Sequence, residues 1–341
     1  MKRTFLTFFV ITLIALFFNS CSTDVDLYAD YKHITVVYGL LDYKKDTNYV
    51  KINKAFLGPG NALDIALIAD SCNYPGKLNA KIKEYRASAM GNNYQLIREF
   101  PLDTITIHNK EQGIFYAPDQ KVYYTTEKIH SDTKEHKYRY ALEIDRGDTI
   151  LTSQTDVVGG NVYNITSSVL NFSTNTDLGY VNWIPFPNAV VYEVIVTFNW
   201  MEQKPGQDTV FRNMKWSLGT YSESDLNLDN GQLKLSYKTS NFYNALGATL
   251  GADTLDQRVD RFIGTYPLSI TIAAGGLELY NFISVNGPSS SIVQTIPEYT
   301  NINGGYGVFS SRNMVEKKEV RMSSQSFTGL VARNWGFRQG K

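Results

Sequence analysis

Two histidines, His130 and His136, are the residues with the clearest potential for metal chemistry, among only four histidines in the chain. They lie in one charged segment, 127–136. If that segment is a hairpin, the two imidazoles could meet across the turn and bind a metal. The alternative is a solvated charged turn, which is favoured because the segment mixes charges of both signs.

Residues 225–236 imitate a calcium-binding loop, with Asp or Asn at the first, third and fifth positions. However, the glycine falls one position late, and Ser236 stands where a bidentate carboxylate is needed. Alternating leucines around Asn230-Gly231 are typical of a β-hairpin with a type I′ turn. The sequence therefore predicts no metal site and no cofactor.

Lipid attachment is the chemistry that the cysteines favour. Lys2 and Arg3 precede an apolar run, 5–18, that is shorter than the roughly 20 residues needed to span a bilayer. The run ends in Phe-Asn-Ser before Cys21, which resembles a bacterial lipobox, although Phe and Asn depart from the usual Leu and Ala or Ser. We expect removal of residues 1–20 and acylation of Cys21. The alternative is an ordinary signal peptide followed by an incidental cysteine.

The second cysteine, Cys72, has no disulfide partner if Cys21 is acylated. It lies in a turn-like stretch, 69–76, without a nearby histidine to lower its thiol pKa. A structural or exposed thiol is therefore predicted rather than a catalytic nucleophile.

Four Asp-Thr-apolar triplets resemble the acceptor of Bacteroidota O-glycosylation. Their threonines are Thr104, Thr149, Thr209 and Thr254. The alternative stays open, because Asp-Thr is also a common way to leave a turn and enter a strand.

Known catalytic patterns are not found in the sequence. It contains no G-x-S-x-G, no H-E-x-x-H, no phosphate-binding Walker loop and no Rossmann fingerprint. The glycines at 304, 305 and 307 open no evident helix, so we interpret them as permitting a tight backbone path. We expect a protein that is not an enzyme.

Bulk composition limits the partners and the fold. The 33 basic residues balance the 33 acidic ones, so no global field favours nucleic acid. The chain is rich in aromatic residues, with 23 Tyr and 18 Phe, which suits β-structure. Turn residues recur about every ten positions, the spacing of a β-sandwich.

The predicted fold is all-β, with tandem β-sandwiches and a short helical insertion. The predicted parts are the signal peptide (1–20), a tether (21–32), an Ig-like sandwich (33–158), a fibronectin type III-like sandwich with the helix (161–286), and a C-terminal tail packed on the second sandwich (287–341). The inserted helix spans 240–250, where Ser240 can cap it and Gly251 ends it.

Trp183 and Tyr192 lie on successive predicted strands separated by a proline turn, which looks like the core of a fibronectin type III domain. Trp200, Trp216 and Trp335 are the aromatics that could stack on sugar rings, although packing in the core or tail is the favoured reading for each.

The chain resembles a Bacteroidota lipoprotein family known only as domain of unknown function 4249. The resemblance rests on the leader, on the early strands 36–40 and 49–52, on Trp183 with Tyr192, and above all on the closing stretch 300–309. It implies an envelope lipoprotein, often encoded beside a TonB-dependent receptor, with no catalytic residues to transfer.

We therefore expect a lipid-anchored protein of the outer membrane, on a face that the sequence does not fix. Its expected function is that of a non-enzymatic interaction or accessory subunit, with an outer-membrane receptor protein as partner and no nucleic acid. The alternative function is a module that captures a glycan or another small ligand.

Overall fold

The computed structural model describes residues 34–55, 61–108, 110–173, 175–254, 258–287 and 298–340. The predicted signal peptide, the tether and Cys21 lie outside these residues.

Eighteen strands account for nearly half of the described residues. They are β1 (Thr35–Leu41), β2 (Asn48–Lys54), β3 (Asn79–Ser88), β4 (Gln95–Pro101), β5 (Asp103–Ile107), β6 (Gln120–Thr125), β7 (His136–Asp145), β8 (Ile150–Asp156), β9 (Val169–Leu170), β10 (Leu178–Trp183), β11 (Val191–Gln203), β12 (Val210–Ser222), β13 (Asn227–Asp229), β14 (Gln232–Lys238), β15 (Asp260–Ile263), β16 (Leu268–Gly275), β17 (Tyr306–Met322) and β18 (Phe337–Gln339).

The helices among the described residues are short. They are α1 (Ala62–Ala66), α2 (Ala69–Cys72), α3 (Thr239–Leu250), α4 (Leu277–Asn286) and α5 (Ser324–Val331), with 3-10 turns at Val162–Asn164, Glu223–Asp225 and Gly251–Thr254. No helix in the described part of the chain has the length and apolar character needed to cross a membrane.

The first sandwich packs the strand series β17-β1-β2-β6-β5 against the sheet β4-β3-β7-β8. Alternation along the strands produces its core, because every second side chain of a strand points to the same face. Val37 of β1 and Val50 of β2 are fully buried, as are Ile82 of β3 and Leu142 of β7 in the facing sheet. Burying each such side chain contributes about 1.5–3 kcal/mol.

The second sandwich packs β12, β11, β16 and the later part of β17 against the small sheet β10-β14-β13. Trp183 and Tyr192 are both fully buried between these sheets, with their ring centroids 5.5 Å apart. The Tyr192 hydroxyl accepts a hydrogen bond from the backbone N–H of Phe186 at 3.0 Å. The pair is therefore part of the core, as predicted.

The predicted inserted helix exists, but its start is different. It begins at Thr239, and its N-cap residue is Lys238, whose side chain makes no capping bond. Ser240 lies inside the helix and is not the cap, because the Thr239 hydroxyl bonds the carbonyl of Thr176 at 2.7 Å and fixes an earlier start. The predicted end is correct: Gly251 has a φ of 55° and donates its N–H to Gly247.

β17 joins the two sandwiches. Residues 306–311 pair in parallel with β1 of the first sandwich, and residues 312–320 pair antiparallel with β16 of the second. From the sequence we predict that this part of the chain is a tail packed on the second sandwich. In the structure, the tail also completes the first sandwich, so the two units share one 11-stranded sheet.

Glycine makes this pairing possible. Gly307 has a φ of 108°, and a Cβ there would lie 2.0 Å from the Val37 carbonyl oxygen. The Asn301 side chain then binds both backbone groups of Phe309, donating to its carbonyl at 2.7 Å and accepting from its N–H at 2.9 Å. The glycine-rich stretch thus provides backbone geometry, which confirms its predicted role.

The described chain is mostly β, and its sheets pack face to face in sandwich-like pairs. This confirms the all-β prediction.

Candidate functional site

The four candidate acceptor threonines occupy different surroundings. Thr149 and Thr209 are exposed in loops, the first between β7 and β8 and the second between β11 and β12. Thr104 is half-buried within β5 and paired with Tyr123. Thr254 ends a 3-10 turn, and its hydroxyl donates to the Gly251 carbonyl at 2.9 Å. The first two are therefore the most accessible.

His130 and His136 both lie near the ring of Tyr138, with centroid distances of 5.3 and 6.4 Å. His130 Nδ1 is 3.3 Å from the carboxylate of Glu84, which belongs to the sandwich core. Within the ranges that the structure describes, no group of three His, Cys, Asp or Glu side chains is placed to hold a metal ion.

The calcium-like segment forms a hairpin. β13 and β14 pair antiparallel, and Asn230 and Gly231 have φ values of 48° and 73° between them. Asp225, the first position of the imitated loop, instead accepts hydrogen bonds from the backbone N–H of Ser222 at 3.1 Å and from its hydroxyl at 2.6 Å. The predicted hairpin is confirmed.

The three candidate sugar-binding tryptophans pack against the second core. Trp200 is buried beside Phe198, with ring centroids 5.5 Å apart. Trp216 and Trp335 are partly buried against the same cluster. These rings therefore do not form an exposed stacking platform.

An open groove lies where α4 meets the outer face of the first sandwich, and we call it the α4 groove. Its volume is about 440 Å³, and its apolar lining comes from Tyr38, Leu40, Tyr49, Leu279, Phe282 and Ile283. Tyr38 and Phe282 meet edge to face with centroids 6.0 Å apart. The helix is positioned by β17, because the Leu279 N–H donates to the Ser310 hydroxyl at 3.1 Å.

A second cavity, which we call the polar pocket, lies at the edge of β8 beside the start of α4. Its volume is about 500 Å³, and its lining includes Ser153, Gln154, Glu278, Tyr299 and Asn303. Ser153 is 5% exposed, and its hydroxyl has no hydrogen-bond partner among the described residues. Buried hydroxyls are normally bonded, so this oxygen is an unsatisfied polar atom beneath the surface of the pocket.

Glu278 is the acidic residue that lines the polar pocket. Its carboxylate accepts hydrogen bonds from the hydroxyls of Thr155 at 3.1 Å and Ser310 at 3.3 Å. Burial raises the pKa of Glu278 because desolvation disfavours the charged form, and the nearby charge of Asp156 acts in the same direction. The pocket therefore combines hydroxyl, amide and carboxyl groups that can bond a polyol.

Neither cavity is predicted from the sequence. Their residues come from β1, β2, β8, α4 and the segment before β17, and no local spacing connects these parts. The sequence signals that fall on the cavities are the early strands 36–40 and 49–52, which supply Tyr38 and Tyr49 to the α4 groove, and the stretch 300–309, whose Asn303 lines the polar pocket.

Comparisons with known proteins give no family. No family model matches the chain, and no curated protein matches it. One matching solved structure is titled "Crystal structure of CBD12 from CALX1.2"; it is 8% identical and covers 84% of this chain and 99% of its own, with a TM-score of 0.15. Because that TM-score is so low, the match supports no conclusion about fold or function.

Proposed function

We propose that this chain is a lipoprotein of the outer membrane that acts as a non-enzymatic interaction or accessory subunit of a TonB-dependent system. The leader and Cys21 support the anchor, and the stretch 300–309 supports membership of the lipoprotein family that the sequence resembles. The partner is an outer-membrane receptor protein.

The observation that carries this proposal is the α4 groove. Tyr38, Tyr49 and Ile283 are 47%, 48% and 47% exposed, yet they line one continuous apolar depression. Contiguous exposed apolar surface of this kind marks interaction sites more often than scattered single residues do. Because β17 belongs to both sandwiches, the groove is built on one connected sheet.

A membrane pull-down tests the interaction. We expect the wild-type chain to recover a receptor protein, and Ile283→Asp to lose that recovery because it places a charge in the groove. Ile97→Asp is the matched control, since Ile97 is 44% exposed on β4, outside the groove. Equal recovery by both variants would contradict a role for the groove.

The anchor is tested separately by Cys21→Ser. Acyl chains contribute about 0.8 kcal/mol for each buried CH₂ group, so their loss should release the folded protein from the membrane fraction. If the variant stays membrane-bound when the receptor is deleted, the lipoprotein proposal is wrong.

Capture of a glycan or another small ligand is the second candidate function. The unpartnered Ser153 hydroxyl and the carboxyl of Glu278 in the polar pocket favour it. A glycan array probed with the mature protein should give a signal that Gln154→Ala lowers, because Gln154 lies on the exposed rim. Asn213→Ala on β12 is the control. A wild-type array without signal would refute capture and leave the accessory function intact.

We also propose O-glycosylation of the Asp-Thr acceptors Thr104, Thr149, Thr209 and Thr254. Because Thr149 and Thr209 are exposed, we expect modification at these two threonines before the other two. The intact mass of the mature protein should exceed the lipidated polypeptide mass, and the double variant Thr149→Ala, Thr209→Ala should lose part of that excess. A wild-type mass without added sugar would refute this modification.

A further inference from the structure

A third cavity lies on the outer face of the first sandwich, opposite its core. We call it the lysine pocket. Its volume is about 520 Å³, within the range of small-molecule sites. β2 forms its floor, where Lys51 and Asn53 alternate with the core residues Val50 and Ile52, and the residues around Cys72 and those from 110 to 120 form its rim.

Three lysines, Lys51, Lys54 and Lys110, line this pocket together. Its lining holds one carboxylate, Asp119, whose Oδ1 is already 2.8 Å from His108 Nδ1. None of the three amines forms an ion pair with any residue that the structure describes. The pocket therefore carries excess positive charge.

The hydrogen-bond partners of these amines are neutral. Lys51 Nζ donates to the Gln120 side-chain oxygen at 3.3 Å, and Lys110 Nζ donates to the Tyr116 carbonyl at 2.5 Å. A neutral acceptor leaves the charge uncompensated, whereas an anion would compensate it and form charge-assisted hydrogen bonds. The three amines are thus arranged to accept an anionic group.

The charges of these lysines affect the pKa values of titratable groups in the pocket. Burial lowers the pKa of Lys51, and the nearby charge of Lys110 lowers it further. Burial raises the pKa of the Cys72 thiol, while Lys110, Lys51 and Lys54 all act in the opposite direction. Like charges held in a concave site are unfavourable until an ion of opposite sign binds.

Aromatic rings form the walls of the lysine pocket. Tyr38, Phe115 and Tyr116 all line it, and the Lys110 ammonium lies 5.8 Å from the centroid of the Phe115 ring. Such rings bury planar apolar groups. The pocket therefore offers an apolar surface beside its positive charge.

We propose that the lysine pocket binds a small organic anion, with a phosphate or carboxylate group between Lys51, Lys54 and Lys110 and a planar apolar body against Phe115 and Tyr116. The lysine pocket shares Tyr38 with the α4 groove and no lining residue with the polar pocket, and the proposal does not depend on the function proposed for either of them.

Calorimetry on the mature chain at low salt tests the proposal with three probes: inorganic phosphate, phenyl phosphate and benzoate. We expect phenyl phosphate to bind at least about tenfold more tightly than inorganic phosphate, because only the former also uses the aromatic walls. Comparison of phenyl phosphate with benzoate then shows which anionic group the pocket prefers.

Lysine variants test whether the anion binds in the lysine pocket. Lys51→Gln and Lys110→Gln should each weaken phenyl phosphate binding about tenfold or more, since each removes a charge-assisted bond. Lys51→Arg keeps the charge and should retain most of the affinity. Lys234→Gln is the matched control. The Lys234 ammonium also lies near an aromatic ring, 4.1 Å from the Tyr180 ring centroid, but it belongs to the second sandwich.

Three results would overturn the proposal: no binding of either phenyl phosphate or benzoate, equal affinity for phenyl and inorganic phosphate, or an equal loss in Lys234→Gln. Unchanged thermal melting of each variant establishes that it is folded. If Lys51→Gln does not fold, Lys110→Gln decides the question from the other side of the pocket.

Discussion

In the second sandwich, Phe172 and Phe242 stack with ring centroids 4.0 Å apart, whereas the first sandwich places a carboxylate, Glu84, at an equally buried position. Glu84 is 2% exposed and accepts hydrogen bonds from Arg98 Nε at 2.9 Å and the Tyr140 hydroxyl at 2.9 Å. The first core thus has a buried carboxylate held by directional bonds, whereas the second combines its stacked rings with a buried ion pair between Glu202 and Arg261 at 3.1 Å.

The difference extends to the surfaces. Residues of the first sandwich line the α4 groove, the polar pocket and the lysine pocket. The second sandwich instead uses its tryptophans for packing. The binding surfaces proposed above therefore all involve the first sandwich.

The variant with the largest expected effect tests the packing of the second core. Phe242→Ala should reduce the free energy of unfolding by about 3–5 kcal/mol, because it leaves a cavity among stacked rings. Phe282→Ala is the matched control, because Phe282 is half-buried in the α4 groove. It should reduce the free energy of unfolding by about 1 kcal/mol or less. Urea denaturation measures both. Similar losses would mean that the groove is as tightly packed as the core.

The next effect tests the connection through β17. Gly307→Ala should destabilise by about 3 kcal/mol, because its Cβ would meet the Val37 carbonyl at a φ that L-residues avoid. Hydrogen exchange should show lost protection in β1 before β16. Gly251→Ala has a positive φ but nothing within 4 Å, so it should cost less. A uniform loss in both sandwiches would show that they unfold as one unit.

Tyr140→Phe tests the directional bonds of the first core. It removes the hydroxyl that donates to Glu84 and accepts from the His130 N–H at 2.7 Å, so the expected loss is about 1–3 kcal/mol. Tyr138→Phe removes a hydroxyl on the same strand and should have little effect on denaturation midpoints. If both variants are neutral, the buried hydrogen bonds of the Tyr140 hydroxyl do not stabilise the first core.

The smallest effect is a pH dependence. The pKa of Glu278 is raised by burial, so the folded chain holds this proton more tightly than the unfolded chain. Stability should therefore fall as pH rises from the ordinary glutamate range through the folded pKa. Glu278→Gln should remove that part of the slope above the ordinary glutamate range in urea denaturation. An unchanged slope would show that Glu278 ionises as freely as in the unfolded chain.

Sequence reasoning succeeded where the signal was local. The Asn230-Gly231 hairpin, the helix end at Gly251 and the buried pair of Trp183 with Tyr192 all follow from neighbouring residues. It misplaced the start of α3, because a bond to Thr176 from a distant loop decides that boundary. The leader and Cys21 remain sequence predictions.

Alternation and turn spacing were enough to predict the β-rich class, because strand side chains repeat every two residues. The role of β17 in both sandwiches became clear from the tertiary fold, because Val36 and Tyr306 pair from opposite ends of the chain. The tertiary fold also forms the three cavities. Lys51 and Lys110 share a pocket through folding, and no sequence interval encodes that proximity.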